Sequence, residues 1–450
     1  MTPTTPTPSS PPAPPGSRPT LIPRTVREFL ATESSGAVVL LVAAVVAMVW
    51  ANSPWSASYT SLWETDVRLV LGPLDLHMDL HHLVNDGLMA LFFFVIGLEI
   101  KRELVEGELR DPRTAALPAI AAAGGMIAPA VIYALVTAGT DGSHGWGIPM
   151  ATDIAFAVGV VGLLGRRLPS GLRLFLLTLA IVDDIGAIAV IAIFYSSSVD
   201  LGAMAWALAG LAAVVAVRRL GVTSMWVHVP IGLTVWYFTH ESGVHATIAG
   251  VLLGLLTPAR PLGAAHVTRQ WVEDLDDEPT AEVVDTLTAL AKRTVSAAER
   301  LVHQLHPLTS FVIIPLFALA NAGVDLDLGS LGRAEPARVA IAVVLGLVVG
   351  KLLGIVAFTS IAVRLGVGRL PSGMTSRHLT GLAGVAGIGF TVSLFIAELA
   401  FPGHPELADA AKTGVLAASL LAAAIGSTLL WRTSTREQTA EPAGPISDAP

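Results

Sequence analysis

The sequence predicts an all-α polytopic membrane protein of about twelve transmembrane helices. Three observations carry that prediction. The 450-residue chain is 53% hydrophobic and only 14% charged, far from the composition of a soluble domain. It contains a series of apolar segments close to the length that crosses a bilayer. Its lysines and arginines fall almost entirely in alternate connections between those segments. A mean hydropathy of +0.67 excludes an ordinary soluble enzyme. There is no cysteine, which removes disulfides, thiolate metal sites and thiol nucleophiles. The net charge of −8 says less than the sidedness of the basic residues, and without a basic domain no nucleic-acid partner is expected.

Residues 1–21 form a Pro/Ser/Thr tract with no apolar core, which reads as a disordered tail. The tract lacks the basic start and short apolar run of a cleaved signal. Ile22–Ser34, with Arg24, Arg27, Glu28 and Phe29, reads as a short surface helix. Twelve apolar segments follow within residues 22–432. The first four are Gly36–Trp50, Leu83–Leu98, Thr114–Thr137 and Trp146–Leu164. Next come Leu172–Tyr195, Leu201–Val217, Val222–Thr239 and Gly243–Leu256, the eighth being short for a straight span. The last are Leu308–Val324, Arg338–Val363, His378–Leu399 and Lys412–Trp431, and residues 433–450 read as a second disordered tail.

Sidedness tests this count. With a cytoplasmic N-terminus, 22 of the 27 basic residues fall on the inside. Outside or within spans remain Arg68, Arg333, Arg338, Lys351 and Lys412. A miscount by one in the middle would scramble that asymmetry, so the rule supports twelve spans with both termini cytoplasmic. The longest inside connection, Thr257–His306, opens with Glu273, Asp274, Asp276, Asp277 and Glu278. These acids are either a solvated loop or a regulatory cation-sensing surface. Val284, Leu287, Leu290, Val295 and Leu301 then recur at helical spacing, which predicts an amphipathic helix over Ala281–Leu305.

Function is sought among the ionisable residues at membrane depth. Asp183 and Asp184 lie halfway along the fifth segment, where each acid costs roughly 2.5–3.5 kcal/mol on an insertion scale. Adjacent residues on a helix point about 100° apart, so the two carboxylates meet different surroundings. They are either polar glue between helices or a cation or proton site, and the second reading is preferred. Asp86 starts the second span as a funnel residue or a helix cap. Glu99, Lys101, Arg102 and Glu103 end it, as an interfacial ion-pair network or a gate. Asp153 follows Pro149 and Thr152 in the fourth span, and the eleventh contains Gly381, Gly384, Gly387 and Gly389 before Thr391 and Ser393. Both spans are candidates for interruption. Two such breaks are what a pair of inverted three-helix repeats, spans three to five and ten to twelve, would give, crossing near the midplane. Lys351, between Gly350 and Gly354 in the tenth span, either snorkels to an interface or faces the same cavity as the acids, and the second reading is preferred. His245, opening the eighth, is either a satisfied interfacial histidine or a pH-sensing one.

Several long motifs share one resemblance. ATDIAFAVGVVGLLG, LAIVDDIGAIAVIAIFY, SGVHATIAGVLLG, PLFALANAGV, GKLLGI, GIGFTVSLFIA and NDGLMALFFFVIGLEIKREL, in this order apart from the last, which comes first, resemble signatures of the NhaA family of bacterial Na⁺/H⁺ antiporters. The likeness runs from about Glu28 to Trp431. The inverted-repeat architecture invoked above is itself described for this family among others, so the two inferences are not independent. The resemblance implies Asp184 as principal Na⁺/Li⁺ ligand and proton carrier, and Asp183 as second carboxylate, paired towards Lys351. It implies Thr152 and Asp153 in the unwound part of span four, Asp153 balancing half-helix ends, and Gly387–Thr391 in the unwound part of span eleven. Glu99, Glu103, His245, Arg300, His303 and His306 match positions linked to pH response or the cytoplasmic funnel. The family's glutamate at the position of Val302 is missing. The resemblance also implies a bacterial cytoplasmic membrane, a homodimer, no cofactor beyond the transported Na⁺, Li⁺ and H⁺, and no enzymatic activity.

The mechanism this suggests is competition. A hard cation seeks oxygen ligands from Asp184, Asp183 and Thr152, and burial raises a carboxylate's pKa, so protons displace the ion near neutral pH. An intramembrane aspartyl protease needs two facing aspartates on different helices, which adjacent residues cannot supply. A proton-coupled carrier of an organic solute or a passive channel remains open at this level; a channel needs no proton-exchanging pair.

Overall fold

A computed structural model describes residues 24–71, 74–164, 168–196, 199–222, 224–261, 294–324 and 334–440. The N-terminal tail, the end of the C-terminal one, the acidic run Glu273–Glu278 and most of the amphipathic stretch after it lie outside these residues.

Each of the twelve apolar segments carries a helix. The first is α1 (Arg24–Ala51), which merges the expected surface helix with the first span. After it the chain turns by 116° into α2 (Ser56–Trp63). A two-stranded antiparallel hairpin follows, β1 (Asp66–Leu71) and β2 (Leu74–Asp79). This corrects the all-α expectation. Its register pairs Val67 with Met78, Leu69 with Leu76 and Leu71 with Leu74, so the alternation is real but too short to register among long apolar runs.

The helices that follow are α3 (Leu80–Glu106) and α4 (Pro112–Val136), then a broken pair, α5 (Asp141–Met150) and α6 (Ile154–Leu163). After them come α7 (Ser170–Phe194), α8 (Leu201–Arg219), α9 (Met225–Glu241) and the short α10 (Ala246–Leu256). Then come α11 (Ala297–Asn321), α12 (Ala334–Arg364), a second broken pair, α13 (Ser376–Val385) and α14 (Phe390–Ala400), and α15 (Pro405–Ala440). The last helix runs to Ala440, past Trp431, where the sequence reading ends the last span, and into the first eight residues of the tail expected to be disordered. Among the described residues, seven helices are long and apolar enough to cross a membrane, and up to ten spans result if each bent pair counts once. The protein is thus a helical membrane protein, as expected.

Helix starts follow from local chemistry. Asp79 accepts from the His82 amide at 2.7 Å, Asp200 from Gly202 and Ala203 at 2.7 and 2.9 Å, and Ser296 from Glu299 at 3.1 Å, each satisfying an otherwise orphaned donor. Packing in a bilayer gains little from hydrophobicity and depends on close approach. A Cβ on Gly250 of α10 would lie 2.1 Å from the Ala90 carbonyl oxygen of α3. One on Gly354 of α12 would lie 2.0 Å from that of Gly124 in α4. Among the described residues, three helices contain a π-helical turn, at Leu83–Leu88, Thr309–Ile313 and Leu345–Gly350. The last of these ends immediately before Lys351.

The α4–α12 contact gives the first prediction. Gly354→Val drives a side chain into backbone that cannot yield, and should cost on the order of 1–3 kcal/mol. Thermal unfolding in detergent should show a lowered midpoint; an unchanged one would contradict backbone-to-backbone packing at this position.

Candidate functional site

The site forms where the two broken pairs meet. α5 and α6 are bent by 45° across Ala151–Asp153, and α13 and α14 by 49° across Ala386–Gly389. The breaks hold each other: the Asp153 amide donates to the Ile388 carbonyl at 2.7 Å. The Asp153 carboxylate then serves two helix starts at once. Its Oδ1 accepts from the Phe156 amide of α6 at 3.0 Å. Its Oδ2 accepts from the Thr391 amide of α14 at 3.0 Å and from the Thr391 hydroxyl at 2.7 Å. The carboxylate thus faces two helix N-termini, the ends at which a helix favours negative charge. Gly387 and Gly389 leave room for this: a Cβ on Gly387 would lie 2.4 Å from the Leu347 carbonyl oxygen. Ser393 adds a bond to the Ile148 carbonyl at 2.7 Å.

α7 brings the acid pair up to this crossing. Asp183 is fully buried and Asp184 is 4% exposed. Asp183 Oδ2 is ion-paired with Lys351 Nζ and accepts from the Thr152 hydroxyl at 2.7 Å. Thr152 also accepts from Lys351 at 2.8 Å and lies 2.9 Å from the Ala386 carbonyl, the first of the unwound segment. A hydroxyl has one proton, so Thr152 donates to Asp183 or to Ala386 but not to both. Asp183 Oδ1 is buried without a hydrogen-bond partner. Among the charged groups that bear on Asp184 are Asp183, Glu99, Asp153 and Lys351.

The remaining sequence-predicted residues separate into two groups away from this cluster. One group holds Asp86 and His245. Asp86 sits in the π turn of α3, 3.8 Å from His240, with its carbonyl accepting from Trp236 at 2.9 Å. A His245 ring nitrogen meets the Tyr195 carbonyl at 2.8 Å. The other holds Glu103, Arg300, His303 and His306. Glu103 accepts from the Glu108 amide at 2.7 Å, while the other three are on the first part of α11. The position where the resemblance expects a glutamate, Val302, packs instead with Leu98, Ala259 and Ala298. Glu99 alone reaches the central cluster electrostatically.

Sequence reasoning missed Tyr133, Tyr195, Glu335 and the carbonyls of Ile148 and Ala386. Tyr133 donates to the Gly142 carbonyl at 2.8 Å, and Glu335 accepts from the Gly142 amide at 3.0 Å. No spacing rule flags residues whose partners are backbone groups in distant helices.

Two broken helices crossing over a buried acid–lysine cluster, in a helical membrane protein, define the transporter class. Comparison with known proteins makes this specific. Residues 27–430 match the family model Na⁺/H⁺ antiporter 1, and the chain belongs to that family. It is 50% identical over 408 residues to Na⁺/H⁺ antiporter NhaA 3 of Frankia alni, covering 90% of this chain and 88% of that protein. It is 49% identical over 419 residues to Na⁺/H⁺ antiporter NhaA of Rhodopirellula baltica, covering 91% and 94%. With Na⁺/H⁺ antiporter NhaA of Syntrophobacter fumaroxidans the identity is 46% over 428 residues, covering 91% and 90%.

The shared cap at Asp153 yields a second prediction. Thr391→Val removes one buried, charge-assisted hydrogen bond while keeping the side chain's shape, and should cost about 1–3 kcal/mol. A melting curve indistinguishable from that of the unaltered protein would mean the Thr391 hydroxyl does not support the crossing.

Proposed function

We propose that the protein is an electrogenic, pH-regulated Na⁺(Li⁺)/H⁺ antiporter that expels sodium in exchange for protons, using Asp184 and Asp183 as the shared site. It serves pH and sodium homeostasis in the bacterial cytoplasmic membrane. In this reading twelve spans, arranged as inverted repeats, leave both termini in the cytoplasm, and the protein works as a homodimer. Family membership supports antiport; the observation that carries the site is the unpartnered Asp183 Oδ1 beside Asp184. A buried carboxylate oxygen without a hydrogen-bond donor is an acceptor available to a cation, and burial of two neighbouring carboxylates disfavours both carrying charge at once. Sharing of that space by a cation or a proton is the competition that antiport requires.

The residues fit an alkali cation. Asp184, Asp183 Oδ1 and the Thr152 hydroxyl or carbonyl supply hard oxygen ligands. Lys351 keeps Asp183 compensated while the ion is absent, and Asp153 keeps the crossing neutral. If two protonatable groups exchange against one monovalent ion, each cycle moves charge and the membrane potential drives sodium out. The site faces alternate sides as one helix bundle moves against the other. Glu99, Glu103, Arg300, His303 and His306 lie along the inner approach, and Asp86 and His245 along the outer one, as groups that tune the response to pH.

Everted vesicles with a pH-sensitive dye test this reading. After respiration acidifies the lumen, Na⁺ and Li⁺ should each alkalinise it and K⁺ should not. Asp184→Asn should abolish the response with the protein still inserted. Robust Na⁺-dependent proton flux in that variant would sink the assignment; a response independent of the pH gradient would favour a channel.

A further inference from the structure

α5 is an unusual element to find at membrane depth. It is a 3₁₀ helix of ten residues, whereas such runs rarely exceed three or four because their hydrogen bonds are poorly aligned. It contains Pro149 and leads directly into Ala151–Asp153. A 3₁₀ helix rises about 2.0 Å per residue against 1.5 Å for an α-helix. Relaxation to α-helix would therefore shorten α5 by about 5 Å and pull Thr152 away from Asp183.

Tyr133 and Glu335 hold α5 at Gly142 and Ser393 holds it at Ile148; the side chain that ties it to the acid-bearing helix is that of Tyr195. Tyr195, at the end of α7, accepts with its phenolic oxygen from the Gly147 amide at 3.1 Å and donates to the His144 carbonyl at 2.9 Å. A Cβ on Gly147 would lie 2.8 Å from that oxygen, so only glycine lets the backbone approach. Trp146 meets Phe194 edge-on at 5.0 Å and stacks on Tyr195 at 6.5 Å between ring centroids. Asp183 and Asp184 lie on the same helix as Tyr195, about three turns earlier. Tyr195 is anchored in turn, because its carbonyl is 2.8 Å from a ring nitrogen of His245. That nitrogen must carry the proton, since a carbonyl can only accept.

We propose that Tyr195 is a positioning residue for cation binding. It holds α5 in its extended form, fixes the height at which Thr152 meets Asp183, and links that height to His245. The inference rests on the cation-site reading above. It adds a residue outside the ion's own ligands.

The test uses the full-length protein, purified in detergent for Na⁺ calorimetry and reconstituted for exchange. Tyr195→Phe loses only the hydroxyl. It should weaken Na⁺ binding and raise KM for Na⁺ by about tenfold, with the maximal rate and melting temperature little changed. His245→Gln should raise KM less, and the double variant should match Tyr195→Phe, because both changes act through one link. Should Tyr195→Phe not be recovered folded, Gly147→Ala decides: it keeps the tyrosine but pushes the phenol away, and should raise KM similarly. Unchanged binding and KM, or a lower maximal rate at unchanged KM, overturns the inference. Multiplicative effects of the two variants overturn the link to His245. Asp184→Asn is measured alongside: if it binds Na⁺ normally, the cation-site reading itself fails and the inference falls with it. If only Asp184→Asn abolishes binding, the site stands and Tyr195 does not position it.

Discussion

A helix that stops inside a bilayer leaves backbone donors and acceptors with no water to meet them. The architecture of this protein follows from meeting that constraint twice in one place. Each break supplies what the other lacks. Ile388 offers a carbonyl to the Asp153 amide, Ala386 offers one to Thr152, and Asp153 returns two acceptor oxygens to the starts of α6 and α14. Neither break could persist alone, because half of each set of partners belongs to the other chain segment. Interruption and crossing are therefore one feature. They explain why the polar side chains of α7 and α12 find a polar environment in the middle of an apolar chain.

The ion pair between Asp183 and Lys351 depends on this arrangement and is poor evidence of stability in itself. Two charges buried completely are costly to desolvate, and a hydrophobic pair of the same volume would often serve the fold as well. What the pair achieves is asymmetry. Asp183 Oδ2 is crowded by Lys351 and Thr152, while Oδ1 has no hydrogen-bond partner. A site with one saturated and one open face has a built-in direction of approach.

Much of this was legible in the sequence. Pro149-Met-Ala-Thr-Asp and the glycines from Gly381 to Gly389 marked both breaks, because proline and glycine disturb helices whatever the tertiary context. The acids and Lys351 stood out because charge at membrane depth is expensive. The hairpin was hidden, since a period-two pattern over six residues is lost beside apolar runs three times as long. The 116° turn into α2 and the 3₁₀ form of α5 were hidden for another reason. Both are decided by partners remote in sequence, such as Leu319 and Ala320 for the Tyr59 hydroxyl, or Tyr195 for Gly147. Asp86 and His245 stand out as ionisable residues near span starts, but their partners, His240 and the Tyr195 carbonyl, are remote in sequence.

The π turn before Lys351 bears on how such a helix is read. Val339, Val343, Leu347, Lys351, Ile355 and Thr359 are all fully buried, a stripe that repeats every four residues. On an undistorted α-helix a four-residue step overshoots a full turn by about 40°, which would carry Lys351 about 120° around from Val339, towards lipid. The widened turn at Leu345–Gly350 winds most of that drift back. The helix therefore follows two wheels with one seam between them. The lysine belongs to the interior because of an irregularity in the backbone six residues long, in a stretch, LGLVVG, that contains no polar side chain at all.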